Sequence, residues 1–203
     1  MEDSELWTQT KENKPIINIV GIKVALGPYH RGIIPLLNRW DNDFSVALLS
    51  GDPLRPIPKE STESRYERDS KEVQSHRVDF IVYEHATLRP VGLAELRNIS
   101  YKNKTADYGI LIGEKDCWDK GFGTETTILM LDYGFTVLGL HNIMLDTYSY
   151  NERAIRAYQR AGFHIIGHRR EANRWGDKLY DQVLMDCVST EFHNPIKPIL
   201  ELP

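Results

Sequence analysis

The chain has 203 residues, of which 41% are hydrophobic and 27% charged. Those fractions suit a globular domain with a buried core and exclude a wholly disordered chain. With 25 Lys and Arg against 29 Asp and Glu, the formal charge is −4, so bulk charge offers no basis for binding nucleic acid or an anionic membrane.

In chain order, the first fifteen residues read as a tail, and 16–26 (IINIVGIKVAL) as a β-rich stretch ending at Gly27-Pro28. Residues 30–40 and 41–50 predict short helical pieces, with Asp41 or Asn42 capping the second. Three prolines and a glycine in 51–58 predict a loop, and the charged run 61–77 a solvated helix. Val78–Tyr83, Pro90–Ile99 and Tyr108–Gly113 then read as consecutive strands of an antiparallel meander. Apolar residues at Ile128, Leu131, Phe135 and Leu138 predict a helix over 124–138 with one buried stripe. A strand at 141–147, a helix at 151–161 capped by Asn151 and closed by Gly162, and strands at 163–168 and 180–186 follow. The residues from Ser189 read as an extended surface tail. The order predicts one α/β domain over 16–188 built around a single sheet.

No apolar run approaches the roughly 18 residues a spanning helix needs. The acidic, polar start lacks the basic segment and apolar stretch of a signal peptide. Both point to a cytoplasmic protein without a membrane partner. Cys117 and Cys187 lie far apart without CxxC spacing, and the seven histidines form no HExxH. Neither a disulfide framework nor a metal site is expected.

The most informative segment is Gly113-Glu-Lys-Asp-Cys-Trp-Asp-Lys-Gly121-Phe-Gly123-Thr-Glu125, where a strand runs through a glycine loop into a helix. Unpaired N–H groups of such a loop and of the first helical turn converge on one spot, and the helix dipole adds positive potential there. That arrangement binds phosphate. A plain helix-opening turn needs glycine as well. The loop is not GxxxxGK[ST], and Thr126 stands where GxGxxG needs its third glycine. Downstream, Asn151 and Tyr158 lie two helical turns apart and share a face, where Tyr158 also fits a core position.

Together, WDKGFGTE and NERAIRAYQRAGF resemble the GNAT superfamily of acetyl-CoA-dependent N-acetyltransferases. Within it they are most similar to the branch that acetylates ribosomal-protein N-termini and spermidine, where tryptophan replaces the Gln/Arg of the usual (Gln/Arg)-x-x-Gly-x-(Gly/Ala) motif. The resemblance is clear over 78–187. It implies a mixed, mostly antiparallel sheet splayed after its fourth strand, with acetyl-CoA in the splay. Leu111, Ile112 and Gly113 would then offer backbone groups to pantetheine. Lys120, Gly121, Phe122, Gly123 and Thr124 would hold the pyrophosphate, and Asn151 would meet the pantetheine end. Lys115, Lys120 or Arg156 would meet the 3′-phosphate.

The implied reaction is direct acetyl transfer to an amine, with Tyr158 as general acid to the leaving thiolate. Glu95, a carboxylate inside an apolar strand, is the first candidate base, although a solvent-facing strand residue reads the same way. Asp146 and a water held by backbone carbonyls are alternatives. Cys117, without a histidine partner, is disfavoured as a covalent carrier. Trp40, Asp41, Asp43, residues 51–75, Tyr148 and Trp175 would build the acceptor pocket. Acceptors within reach are a protein N-terminus, a polyamine, an amino sugar, an amino acid or an aminated antibiotic. A homodimer is one implied assembly. The competing classes are a CoA-binding module without catalysis and a partner-binding domain whose glycines only shape turns.

Overall fold

The computed structural model describes residues 14–50, 54–71, 76–196 and 199; residues 1–13 of the expected tail and 51–53 of the expected loop lie outside these. The single strand expected over 16–26 is a hairpin, β1 (Ile19–Val20) and β2 (Val24–Pro28), with Ile19 opposite Leu26. The fold-back occurs at Gly21, whose N–H donates to the Val24 carbonyl at 2.8 Å. A Cβ at Gly21 would collide with the Glu125 carboxylate, so only glycine makes this turn.

A 3-10 turn leads into α1 (Ile34–Asn42) and α2 (Phe44–Ser50). The break between them falls at Asp43, which accepts the Ser45 N–H at 3.1 Å and its hydroxyl at 2.5 Å. The N-cap is therefore Asp43, not Asp41 or Asn42, because its carboxylate alone reaches the free donors of the new helix. Asp41 instead accepts Arg65 at 2.6 Å from α3 (Lys59–Lys71), and Asn42 pins Ile57 of the proline-rich segment.

The meander follows as β3 (Val78–Glu84), β4 (Pro90–Ser100) and β5 (Thr105–Ile112). Then come α4 (Phe122–Asp132), running on into a π-helical turn at Tyr133–Val137, β6 (Asn142–Tyr148) and α5 (Glu152–Ala161). A long hairpin of β7 (His164–Trp175) and β8 (Lys178–Val188) closes the sheet. Among the described residues eight strands run in the order β1-β2-β3-β4-β5-β6-β8-β7, and of these only β5 and β6 pair in parallel.

Alternation along the strands sorts side chains between two faces. Phe80, Val82, Ala94, Leu96, Tyr108, Ile143, Leu145 and Met185 form the main core with α4. Ile81, Tyr83, Leu93 and Leu111 point the other way, into a smaller core with Trp40, Leu37 and Val46. The stripe expected on α4 is instead burial on every side, from Glu125 to Asp132. The sheet covers one side of α4, and α5 packs beside it. The C-terminal segment covers more: Phe192, Ile196 and Ile199 lie against the core, and the Ile199 N–H donates to Asp132 Oδ2 at 2.8 Å. That segment is packed at these residues, not spread over the surface.

Gly113, at the end of β5, faces the Trp40 ring so closely that a Cβ there would overlap it. Gly113→Ala is expected to displace Trp40 and cost about 1–3 kcal/mol, as overpacked cores do, read as a lower urea midpoint at unchanged slope.

Candidate active site

β5 and β6 pair for only three residues, Thr105–Asp107 against Asn142–Met144, and then part. β5 stays on β4 as far as Ile112↔Gly92, and β6 stays on β8 as far as Tyr148↔Gln182. The splay thus falls after the fourth strand of the sequence reading, which counted the β1–β2 hairpin as one. The Gly113 N–H donates to the Val91 carbonyl at 2.9 Å. By the alternation of an antiparallel ladder, Leu111 also bonds toward β4, and the backbones of Ile110 and Ile112 face the gap. The Ile112 carbonyl accepts the Trp118 indole N–H at 2.7 Å. Of the three β5 positions expected to offer backbone to a ligand, Ile112 faces the gap, while Leu111 and Gly113 bond to β4. Ile110 joins Ile112.

Gly121 adopts φ +86° as the N-cap of α4, a left-handed conformation that glycine takes without strain. The first helix bond runs from the Glu125 N–H to the Gly121 carbonyl, so the N–H groups of Phe122, Gly123 and Thr124 have no acceptor within the helix. In front of Gly123 the space is open, the nearest atom to a Cβ being Ile112 Cγ1 at 3.9 Å. A pyrophosphate fits this cradle, and an amide-bearing chain fits the backbone groups of Ile110 and the Ile112 N–H, which face the gap.

Two residues that sequence reasoning left without a role hold the cradle. Buried Glu125 accepts the backbone N–H groups of Lys23 at 2.7 Å and Val24 at 3.2 Å, latching the β1–β2 turn onto α4. The latch carries the Lys23 ammonium to the loop, where it donates to the Lys120 carbonyl at 2.8 Å and sits 3.0 Å from the Cβ position of Gly121. Glu125 stands within the quoted motif, but its partner lies about a hundred residues earlier, and no local pattern connects them. Trp118 also spans the site: the Arg153 guanidinium lies 3.9 Å over its ring.

A cavity of about 180 Å³ opens between the loop and α5. Ile112, Gly121, Gly123, Thr124, Asn151 and Tyr158 line it, with Arg153, Arg156 and Arg160 along one edge and Val46, Leu49 and Ser50 of α2 across it. The Asn151 carboxamide is already engaged, accepting the Ala154 N–H at 3.2 Å and donating to the Leu49 carbonyl at 3.1 Å. It thereby fixes both α5 and the end of α2, with help from the Tyr150 hydroxyl on the Leu48 carbonyl at 2.8 Å. The Tyr158 ring packs edge-on to Tyr108 and Phe163. Among the described residues none hydrogen-bonds its hydroxyl. Burial pushes its pKa up to about 12, with the Asp146 charge adding to the rise, so it is protonated at neutral pH, the form a general acid needs.

Of the other expected residues, Glu95, Trp40, Asp41 and Tyr148 lie outside the cavity lining. Glu95 lies over Gly109, with one oxygen on Arg77 at 2.5 Å and the other on Arg97 at 3.1 Å; burial pushes its carboxyl upward against these cations. Trp40 is 2% exposed, a core residue whose indole donates to Glu114 at 2.8 Å. Asp41 is taken by Arg65, and Tyr148 stacks on Tyr150 at 5.6 Å. Of the 3′-phosphate candidates, Lys115 pairs with Asp43 at 2.5 Å and Arg156 with Glu152 at 3.1 Å. The Cys117 thiol lines the cavity but burial pushes it up to about 11, far from a nucleophilic thiolate.

A family model described as an acetyltransferase (GNAT) domain matches residues 30–164. The spermidine N(1)-acetyltransferase of Vibrio cholerae is 33% identical over 137 residues, 68% of this chain and 79% of that protein. A human alpha/beta-tubulin-N-acetyltransferase 9 is 41% identical over 57 residues, 28% of either chain. Among solved structures, the Vibrio cholerae spermidine N-acetyltransferase in complex with CoA and spermine superposes with a TM-score of 0.75 at 24% identity, covering 83% of this chain and 97% of that one.

Glu125→Ala strands two backbone donors, that of Lys23 partly buried and that of Val24 buried, which costs about 1–3 kcal/mol. It is expected to lower the chemical-denaturation midpoint and to weaken the melting-temperature rise given by CoA, whereas Glu125→Gln, which keeps one acceptor oxygen, falls between it and wild type.

Proposed function

The chain belongs to the GNAT acetyltransferase family and transfers an acetyl group from acetyl-CoA to an amine, and on that footing we propose that the amine is a polyamine. The observation that carries this reading is the sheet face opposite the main core. Asp107, Asp146 and Asp186 share that face by register, and each is held by a neutral amide: Asn98 at 2.7 Å, Gln182 at 2.8 Å and Asn142 at 2.8 Å. Amides orient a carboxylate without cancelling its charge, so the face keeps a negative potential that suits an acceptor with several ammonium groups. Spermidine, the substrate in the name of the Vibrio cholerae relative, has that chemistry.

In this reading the pyrophosphate rests on the N–H groups of Phe122 to Thr124 with Lys23 alongside, and pantetheine pairs with Ile110 and Ile112. The arginines of α5 supply cations for the remaining phosphates. Tyr158 gives its proton to the leaving sulfur. Its support is a hydroxyl that no described residue binds, on a residue that lines the cavity the glycine loop opens into.

Thiol release from acetyl-CoA, measured against spermidine, spermine, N-terminal Ala and Ser peptides, amino sugars and aminoglycosides, is expected to be fastest with the polyamines. A faster peptide or sugar would overturn the polyamine reading. Tyr158→Phe is expected to lower kcat on the same acceptor about 100-fold or more, within the range of general acid catalysis, while CoA raises its melting temperature as in wild type.

A further inference from the structure

We infer that Asp146, on β6 just beyond the parting of the strands, receives the acceptor's ammonium group and takes its proton. The inference deepens the acetyl-transfer reading above and rests on it, but does not depend on which amine is the acceptor.

The first support is register. Asp79 lies opposite Glu95 and Glu95 opposite Gly109. Continuing the β5–β6 offset, in which Asp107 meets Met144, places Asp146 across the gap from Gly109 on the same face. Asp146 therefore faces Glu95 across Gly109, whose missing side chain leaves room for the Glu95 carboxylate, 2.8 Å from where a Cβ would stand.

The two carboxylates differ in availability. Glu95 has a guanidinium on each oxygen, so its charge is already paired with cations. Asp146 is exposed, and its one hydrogen bond comes from the neutral Gln182 amide to Oδ2; among the described residues Oδ1 has no partner. The charged and titratable groups around it are Glu95 on β4, Asp107 on β5, Asp186 on β8, Arg169 of β7 opposite Gln182, and Tyr158 on α5.

Tyr158 is the second support. It packs with the main core while Asp146 belongs to the opposite face, so the two approach the gap from opposite sides of the sheet. The Asp146 charge reaches far enough to add to the rise in the Tyr158 pKa. A proton acceptor on the amine side and a proton donor on the thioester side are what direct transfer needs.

The protons balance. The ammonium gives one proton to the Asp146 carboxylate, and the freed lone pair forms the N–C bond to the acetyl carbon. The C–S bond breaks with its electron pair on sulfur, and the Tyr158 hydroxyl proton goes to that sulfur. The second proton leaving nitrogen restores Tyr158, and Asp146 releases its own to solvent. Ammonium and acetyl-CoA become amide, free CoA thiol and one proton.

The test is kcat/KM for the acceptor against pH in wild type, Asp146→Asn, Asp146→Glu and Glu95→Gln, with spermidine and an N-terminal Ala peptide as probes. Asp146→Asn is expected to lose about 100-fold near neutral pH. The loss should shrink as pH climbs toward the alkylamine's own pKa, about 10 by analogy with lysine, because free amine then arrives from solution. Asp146→Glu should recover part of the rate, and CoA should raise the melting temperature of all four proteins equally. A deficit in Asp146→Asn that stays flat with pH, wild-type rates in that variant, or a pH-dependent deficit in Glu95→Gln instead would each overturn the assignment. If the peptide is acetylated and spermidine is not, the polyamine reading fails while the Asp146 signature is read on the peptide.

Discussion

The parting of β5 from β6 is the constraint on which the rest of the site depends. Each strand is held by its other neighbour, β5 by β4 and β6 by β8, well past the point where the two stop pairing. The sheet therefore opens without unravelling. An opened sheet leaves polar backbone groups that must find partners. Trp118 satisfies one, the Ile112 carbonyl, from the far side of the glycine loop. The Ile110 and Ile112 groups that remain form a ladder edge in the middle of a sheet, ready to pair with the amides of an extended ligand. Edge pairing of this kind gives affinity through main-chain bonds, and the strand is already rigid before the ligand arrives.

The glycine loop is assembled from distant parts of the chain. Its N–H groups come from α4, but its cation comes from a turn about a hundred residues earlier, held by the Glu125 latch. The tryptophan that replaces the usual Gln/Arg of the motif also has a structural use here. Its indole ties the loop to β5 and its ring face carries Arg153, so a guanidinium on α5 is held against the loop. Because the buried Glu125 carboxylate accepts two backbone donors, loop, turn and helix are fixed relative to one another before any phosphate binds.

Much of this was legible in sequence where the signal was local. The meander, the glycine loop opening a helix, the Asn151 cap and the left-handed Gly162 each depend on neighbours in the chain, and each appears near its expected place. What was not legible depended on long-range contact. Nothing near Gly21 announces that Glu125 will fill the space a side chain would need. The π-turn and the C-terminal segment around α4 turn an expected stripe into burial on every side. Glu95 drew notice as a carboxylate in an apolar strand, yet what decides its chemistry is Arg77, 18 positions earlier, and Arg97 two positions on. Strand alternation says that Glu95 and Arg97 share a face, but not that both oxygens are taken. Trp40 read as an acceptor-pocket aromatic because an isolated tryptophan carries no label of burial; it is the lid on Gly113.

Net charge was the least informative of the early numbers, and the structure explains why. A formal charge of −4 conceals two separated fields. Lys23, Lys120 and the α5 arginines gather on the side of the glycine loop, while the amide-held aspartates of β5, β6 and β8 occupy the opposite sheet face. The two fields thus lie on opposite sides of the gap that opens where β5 and β6 separate. The Arg77, Asp79, Glu95 and Arg97 side chains form a cluster with its charges internally paired, whereas Asp146 on β6 is held only by the neutral Gln182 amide. The same sheet that provides the ligand-binding edge therefore also separates the two charges, and shifting β6 by one residue would exchange its faces and remove both arrangements together.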